Sequence, residues 1–257
     1  MLSTIHPTAI VDEKAHIGQN VSIGPFAVVE QDVIIGDDST IGPQAFIANG
    51  ARVGNSCQIH KGAVVSSLPQ DLKFGGEKTT LEIGDHTVVR EFCTLNRGTL
   101  AHGKSVIGKH CLLMAYAHVA HDCIVGDHVI LANGVQLGGH VEIHDYAIIG
   151  GMTPVHQFCK VGAHAMVGGG YRVVQDVPPF ITCSGEPLRY AGVNSVGLKR
   201  RGFDAEVINN LKRAYRLIYR AQLNRRQALE KIRNELTQDE HIQALLHFIE
   251  NSERGLV

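Results

Sequence analysis

The sequence predicts a parallel β-helix of three-sided coils followed by a small helical unit. Three observations carry that expectation. Aliphatic residues recur every six positions over two thirds of the chain, small residues keep a second phase two positions earlier, and the repeat stops at Pro178-Pro179. Composition agrees. Of 257 residues, 44% are hydrophobic and 19% charged, at a mean hydropathy of +0.01. That excludes a disordered chain, and no apolar run approaches the ~20 residues of a membrane-spanning helix. The opening Met1-Leu2-Ser3-Thr4-Ile5-His6-Pro7 has neither basic head nor apolar core, so no secretory signal is expected. A net charge of -1 argues against attraction of nucleic acid by the whole protein.

The repeat comes first. Stepping by six from Ile5 gives Val11, Ile17, Ile23 and so on to Val65; the phase returns at Ile83, Val89 and Leu95, and again from Ile107 to Val173. Every such position is Ile, Val or Leu. A helix repeats near 3.6 and a simple strand at 2, so neither explains the pattern. Short β segments joined by tight corners do, with one aliphatic side chain per segment pointing inward. Three hexads make one coil, and stacked coils pair at ~4.8 Å. Aromatic residues are 5% and Trp is absent, so the core is aliphatic and small. Cys57, Cys93, Cys111, Cys123, Cys159 and Cys183 fall in the small-residue phase with Ala27, Ala45 and Ala117. They read as core fillers, not metal or disulfide partners, and suit a reducing cytoplasm.

Two stretches, 66–80 and 96–105, lack aliphatics in phase and are expected to be loops thrown out of corners, where function concentrates. The coil region is expected over residues 1–187 and a basic helical domain over 188–257. The second holds 13 Lys and Arg against 8 Asp and Glu, the first 11 against 17. That asymmetry reads as a solvated surface or as a docking face for an acidic partner. Pro178 to Gly202 is expected to be irregular. Asp204 is placed to cap a helix carrying Val207, Ile208, Leu211, Ala214, Tyr215 and Ile218, and capping-box patterns at Asn224 and Thr237 could open two more.

Fifteen histidines invite a metal or a base. His86, His110 and His128 follow Gly-Asp or Gly-Lys at corners and read as exposed turn residues. The informative cluster is His118, His121, His140 and His156. An 18-residue coil stacks Gly139 over His121, with His140 beside it and His156-Gln157 in the next coil. A histidine next to Asp122, beneath a glycine N–H, has the parts of a general base with an oxyanion site. Decorated corners without chemistry fit the spacing equally well.

The hexad pattern resembles the hexapeptide-repeat transferases, which implies an all-β left-handed parallel β-helix; the usual right-handed crossover preference points the other way. The strings HVAHDC (118–123), GGHV (138–141), IIGGMTPVHQFC (148–159), PQDLKF (69–74), QDVPP (175–179) and GVNSVGLKRRGF (192–203) narrow this. Together they resemble the acyl-carrier-protein-dependent UDP-N-acetylglucosamine O-acyltransferases, over essentially the whole chain. The resemblance implies transfer of a 3-hydroxyacyl chain to the sugar 3-hydroxyl, the first step of lipid A synthesis, by a homotrimer with no metal or other cofactor.

Residue by residue, it implies that His121 is the base, Asp122 its orienting partner and Gly139 the oxyanion donor. Gln70, Asp71 and Lys73 match a substrate-positioning loop. His118, His140, His156 and Gln157 match the cleft lining, and Asn194, Arg200 and Arg201 the nucleotide end, where Arg suits a diphosphate. Gly169 matches the position that limits acyl length, with the bulky Tyr171 close by. Asn96 and Val196 depart from the family pattern, where histidine and an acidic residue are frequent. A 3-amino sugar acceptor therefore stays open. A zinc γ-type carbonic anhydrase on the same coil is the rival reading, but it leaves Asp71, Lys73 and the tail without a role. An N-acyltransferase cousin would carry an extra N-terminal domain, whereas this chain enters its repeats by Ile5; a non-catalytic scaffold would need no His-Asp pair beside a glycine.

Overall fold

The computed structural model describes residues 3–257. Strands, most of them two residues long, line up as three sheets of 11, 8 and 8 strands, parallel except for the last strand of the largest, and strands inside each sheet pair with their counterparts one coil below and one above. His118–Val119, for instance, lies between Thr94–Leu95 and Gln136–Leu137. The coils wind as a left-handed β-helix. From Ile23 to Val173 the ruler residues are buried, and burying each contributes about 1.5–3 kcal/mol. Ile5, Val11 and Ile17, in the first coil, keep partial exposure because no coil lies beneath them.

Sharp corners require left-handed backbone. Asn20, Asp38, His86, His110, Asp122, His128 and His140 all have φ between 53° and 60°. Each costs roughly 1–2 kcal/mol as an L-residue, and stacking across coils offsets part of it. The rings of His86, His110, His128, Tyr146, His164 and Phe180 form one column, with successive centroids 4.5–5.7 Å apart. The histidines expected as exposed turn residues do sit at corners, His86 and His110 exposed and His128 half-buried, and their rings stack because the coil period sets them one rise apart. Three such edges, separated by the three sheets, frame the molecule.

Both excursions are shorter than expected. Val64–Ser67 and Thr80–Ile83 are strands, leaving 68–79 outside; Thr94–Asn96 and Lys104–Ile107 leave 97–103. The flanking residues join the ladders, Ser67 against Asn96 and Thr80 against Lys104. The stretch expected to be irregular is also ordered. Ile181–Ser184 extends the largest sheet and turns back antiparallel as Arg189–Val193. The turn of this hairpin is where the sequence placed the domain divide.

Four helices follow: α1 (Ser195–Arg200), α2 (Ala205–Tyr219), α3 (Arg225–Glu235) and α4 (Glu240–Glu250). Asn224 and Gln227 form the expected capping box on α3. Asp204 occupies the N-cap of α2 without a side-chain cap bond. For α4 the cap is Asp239, not Thr237: its Oδ1 accepts the Ile242 N–H at 2.8 Å. Helix α2 buries Ile208, Leu211, Ala214 and Tyr215, whose hydroxyl donates to the Pro179 carbonyl and pins the helical unit to the last coil. Among the described residues no helix is long and apolar enough to cross a membrane.

The cysteines are free and buried. Burial pushes the thiols of Cys93, Cys111 and Cys159 up to about 11, and those of Cys123 and Cys183 to about 12. At pH 8 the native protein is therefore expected to resist a bulky thiol reagent that labels every cysteine of the denatured chain within minutes. Mass spectrometry of the labelled protein reads the outcome; rapid labelling of native protein would mean the coils open.

Candidate active site

One edge carries the chemistry. His121-Asp122, Gly139-His140 and Gln157-Phe158 stack on it, tied by the His140 N–H donating to the His121 carbonyl (3.1 Å) and the Phe158 N–H to the Gly139 carbonyl (3.2 Å). The His121 ring lies against Gly139. A Cβ on residue 139 would stand 2.7 Å from its Cε1 and 2.8 Å from its Nε2. Only glycine leaves room for the ring, and the Gly139 N–H has no acceptor among the described residues.

Asp122 is fully buried beside it. Its Oδ2 accepts the His121 Nδ1–H at 2.7 Å and the Thr99 hydroxyl at 2.7 Å, and its Oδ1 accepts the Thr99 N–H at 2.9 Å. Burial alone would raise this carboxyl, but the hydrogen bonds from His121 and Thr99 outweigh it and hold the group below its usual value. An ionised carboxylate only accepts, so Nδ1 carries the proton and the Nε2 lone pair stays available. His140 meets the His121 ring edge-on at 5.2 Å and stacks on Phe158 at 4.6 Å. Burial lowers its proton affinity, against the opposing pull of Asp122. Burial also lowers His118, whose Nδ1 is 2.7 Å from Thr94 Oγ1.

Ligand atoms of His121, Asp122 and His140 lie within 4.8 Å of one another. Zinc would need them converging at ~2.0–2.2 Å on one ion. Here the carboxylate already accepts three hydrogen bonds, one of them from His121 itself, so the set fits a hydrogen-bonded dyad better than a metal cage.

The excursions flank this edge. Asp71 is close enough for its charge to act on His140, while Gln70 and Lys73 are exposed. The Asn96 amide donates to Ser67 Oγ (2.7 Å) and the Leu68 carbonyl (3.0 Å), tying the base of the first excursion, and its buried Oδ1 has no partner. His156 and Gln157 are exposed two coils above His121, with Arg254 Nη2 3.1 Å from His156 Nδ1. Sequence reasoning flagged the second excursion but singled out only Asn96 at its start. Thr99 was missed, and His102 showed no partner pattern in the sequence, yet its Nδ1 is 3.4 Å from the Asp122 carbonyl and its ring meets His140 at 5.3 Å.

Other expected site residues stand on different edges. Asn194 caps α1 by accepting the Gly197 N–H (3.1 Å) and donates to the His164 carbonyl (3.0 Å). Arg201 donates to the Tyr146 carbonyl (3.1 Å) with its guanidinium 5.2 Å above that ring; Arg200 and Val196 are exposed. These cluster on the stacked-ring edge, and within one chain they do not reach His121. Gly169 lies on the third edge, packed against the Gly151 carbonyl, three coils or ~14 Å above the coil of His121.

Residues 176–257 match the family described as UDP N-acetylglucosamine O-acyltransferase, domain 2, and residues 14–49 and 104–139 match the bacterial transferase hexapeptide (six repeats). An acyl-[acyl-carrier-protein]–UDP-N-acetylglucosamine O-acyltransferase from Thiobacillus denitrificans is 46% identical over 100% of both chains. Its namesake from Chlorobaculum parvum is 54% identical over 99% of this chain and 97% of its own. A solved UDP-N-acetylglucosamine acyltransferase from Bacteroides fragilis superposes with a TM-score of 0.98 at 44% identity, over 99% of this chain and 100% of that one.

The close approach of Gly139 to His121 has a measurable consequence. The Nδ1 proton shared with Asp122 should give a downfield proton resonance in the wild-type protein. Gly139→Ala must move the ring by several tenths of an ångström, so that resonance should shift or vanish while the melting temperature changes little. An unperturbed resonance in the variant would mean that the ring does not rest on residue 139.

Proposed function

We infer the chemistry from one premise: the chain belongs to the acyl-[acyl-carrier-protein]–UDP-N-acetylglucosamine O-acyltransferase family. It is an O-acyltransferase that moves an acyl chain from acyl carrier protein to UDP-N-acetylglucosamine, the first step of lipid A biosynthesis. The observation that supports the residue roles is the His121–Asp122 dyad facing an unpaired Gly139 amide.

In this reading His121 Nε2 takes the proton of the sugar 3-hydroxyl as that oxygen attacks the thioester carbon of a 3-hydroxyacyl chain. The new C–O bond forms and the carbonyl electron pair moves onto oxygen, where the Gly139 N–H donates to it. Ionised Asp122 stabilises the imidazolium. Collapse breaks the C–S bond, and the departing thiolate takes the proton back from His121, leaving ester and free thiol. Gln70, Asp71 and Lys73 overhang the acceptor, and His118, His140, His156 and Gln157 line the cleft.

The nucleotide-end residues Asn194, Arg200 and Arg201 lie on another edge of the same chain, so a second copy must bring that edge to the dyad. This supports a closed homotrimer with three equivalent shared sites. Gly169 would bound the acyl tail ~14 Å up the coil stack, at about 4.8 Å per coil. Free thiols suit a cytoplasmic location. On α2 and its C-cap, Lys212, Arg213, Arg216 and Arg220 are exposed and have no acidic partner among the described residues, which suits docking of an acidic carrier protein.

The test is mass spectrometry of product formed from UDP-N-acetylglucosamine and a panel of 3-hydroxyacyl carrier proteins. An ester at the 3-position is expected, with His121→Ala lowering kcat ~10²–10⁴-fold and Gly169→Met losing the longest donors first. Near-normal turnover by His121→Ala would remove the base assignment.

Salt provides a separate check on the carrier surface. Exposed charges act mainly on encounter and are screened over ~8 Å at physiological ionic strength. Thus kcat/KM for the carrier thioester should fall as salt rises, while the same thioester on a bare pantetheine arm should respond far less. Equal responses would make the α2 cations a solvated surface.

A further inference from the structure

We propose that Thr99, brought in by the second excursion, is a positioning residue for acyl transfer: its hydroxyl sets the orientation of Asp122 and, through it, the tautomer of His121. The proposal rests on the reading of His121 as the base.

The β-helix by itself does not explain why Asp122 is buried. It occupies the left-handed corner position (φ 59°) that His140 and Phe158 occupy one and two coils above. Phe158 points into solvent, 48% exposed, whereas Asp122 is 0% exposed. The difference is the excursion, which sets Thr99 against Asp122 and reaches His140, one coil up, through the His102 ring. It closes on itself through the Gly103 N–H donating to the Thr99 carbonyl at 2.7 Å. Thr99 then grips both carboxylate oxygens, one through its N–H and one through its hydroxyl.

The direction of the hydroxyl is also fixed. Thr99 Oγ1 accepts the Ala101 N–H at 3.2 Å, so its own hydrogen is left to point at Asp122 Oδ2. That oxygen is the one bonded to His121. Ser105 holds the other side of Asp122, its Oγ accepting the Asp122 N–H at 2.8 Å. Two donors from one residue leave the carboxylate a single rotamer, with Oδ2 aimed at Nδ1. Losing the hydroxyl would let the carboxylate turn and would concentrate its charge on the His121 proton.

Thr99→Val keeps the shape and the N–H but removes the hydroxyl. It is expected to lower kcat about 10–100-fold, the usual cost of losing a hydrogen bond to a buried charge. KM for both substrates should stay within about twofold. Thr99→Ser, which restores the donor, should recover most of the rate. With less donation to Oδ2, Asp122 draws the imidazolium proton more strongly, so the acid limb of kcat/KM should move to higher pH. The other titratable groups around the dyad, His140, His102 and Asp71, are unchanged in the variant.

A merely structural role would lower the melting temperature and raise both KM values without moving the acid limb. A Thr99→Val enzyme with near wild-type kcat and an unmoved acid limb overturns the proposal. If Thr99→Val does not fold, Thr99→Cys, of similar size with a weak donor, must show the same fall in kcat at unchanged KM, or the proposal is wrong. His121→Ala separates the two readings. If it retains turnover, the base assignment has failed; if it is dead while Thr99→Val is silent, only the role of Thr99 has failed.

Discussion

Parallel pairing between coils holds each residue over the one 18 positions earlier, a single strand spacing away. Inward, that register stacks Ile, Val and Leu over one another and alternates them with small residues, so the core is continuous without large side chains. At the corners it places whatever side chain is present on top of its predecessor. Imidazole on imidazole gives the ring column of one edge. Imidazole on glycine gives His121 resting on residue 139. The site is therefore a product of the same register as the core. A corner that needs a flat ring and a free amide can have both only where the next coil supplies glycine.

Strict register also limits what such a wall can do. A coil corner is shallow, and its side chains face solvent. The two excursions relieve that limit by lying over the edge, one carrying Asp71 towards His140 and the other burying Asp122. Burial makes an ionised carboxylate expensive unless it is hydrogen-bonded, and Asp122 has a bond for each lone-pair direction that matters. Its electrostatic effect on His121 comes from this enclosure, which the repeat alone would not provide.

What could be read from the sequence divides along the same line. The ruler, the buried cysteines and the placement of Gly139 against His121 follow from counting, because period and register are one-dimensional facts. The capping box at Asn224 was readable for a similar reason: its signal is local. The hairpin at Ile181–Val193 was not, since two short strands with little alternation become visible only when the sheet they extend is known. Thr99 and His102 escaped because a loop has no period, so nothing in the residue order says which side chain folds back. Asn194 and Arg201 show the converse. The family motif marked them, yet their hydrogen bonds within the chain go to a helix cap and a corner carbonyl.

The excursions are counted in hexads. Asn55 and Asp85 hydrogen-bond across coils at a separation of 30, and Thr94 and His118 at 24, where undisturbed coils step by 18. Each surplus is a whole number of repeat units, so the aliphatic phase is the same on both sides of each loop. In evolutionary terms, repeat units that leave the wall can drift in sequence, while an insertion of odd length inside a wall segment would turn the strand over and expose its apolar face. Local duplication of hexads followed by divergence is thus a route by which a plain repeat could acquire the segments now holding Asp71 and Thr99. Inheritance by whole units would let catalytic parts accumulate on a scaffold whose packing never had to be re-solved.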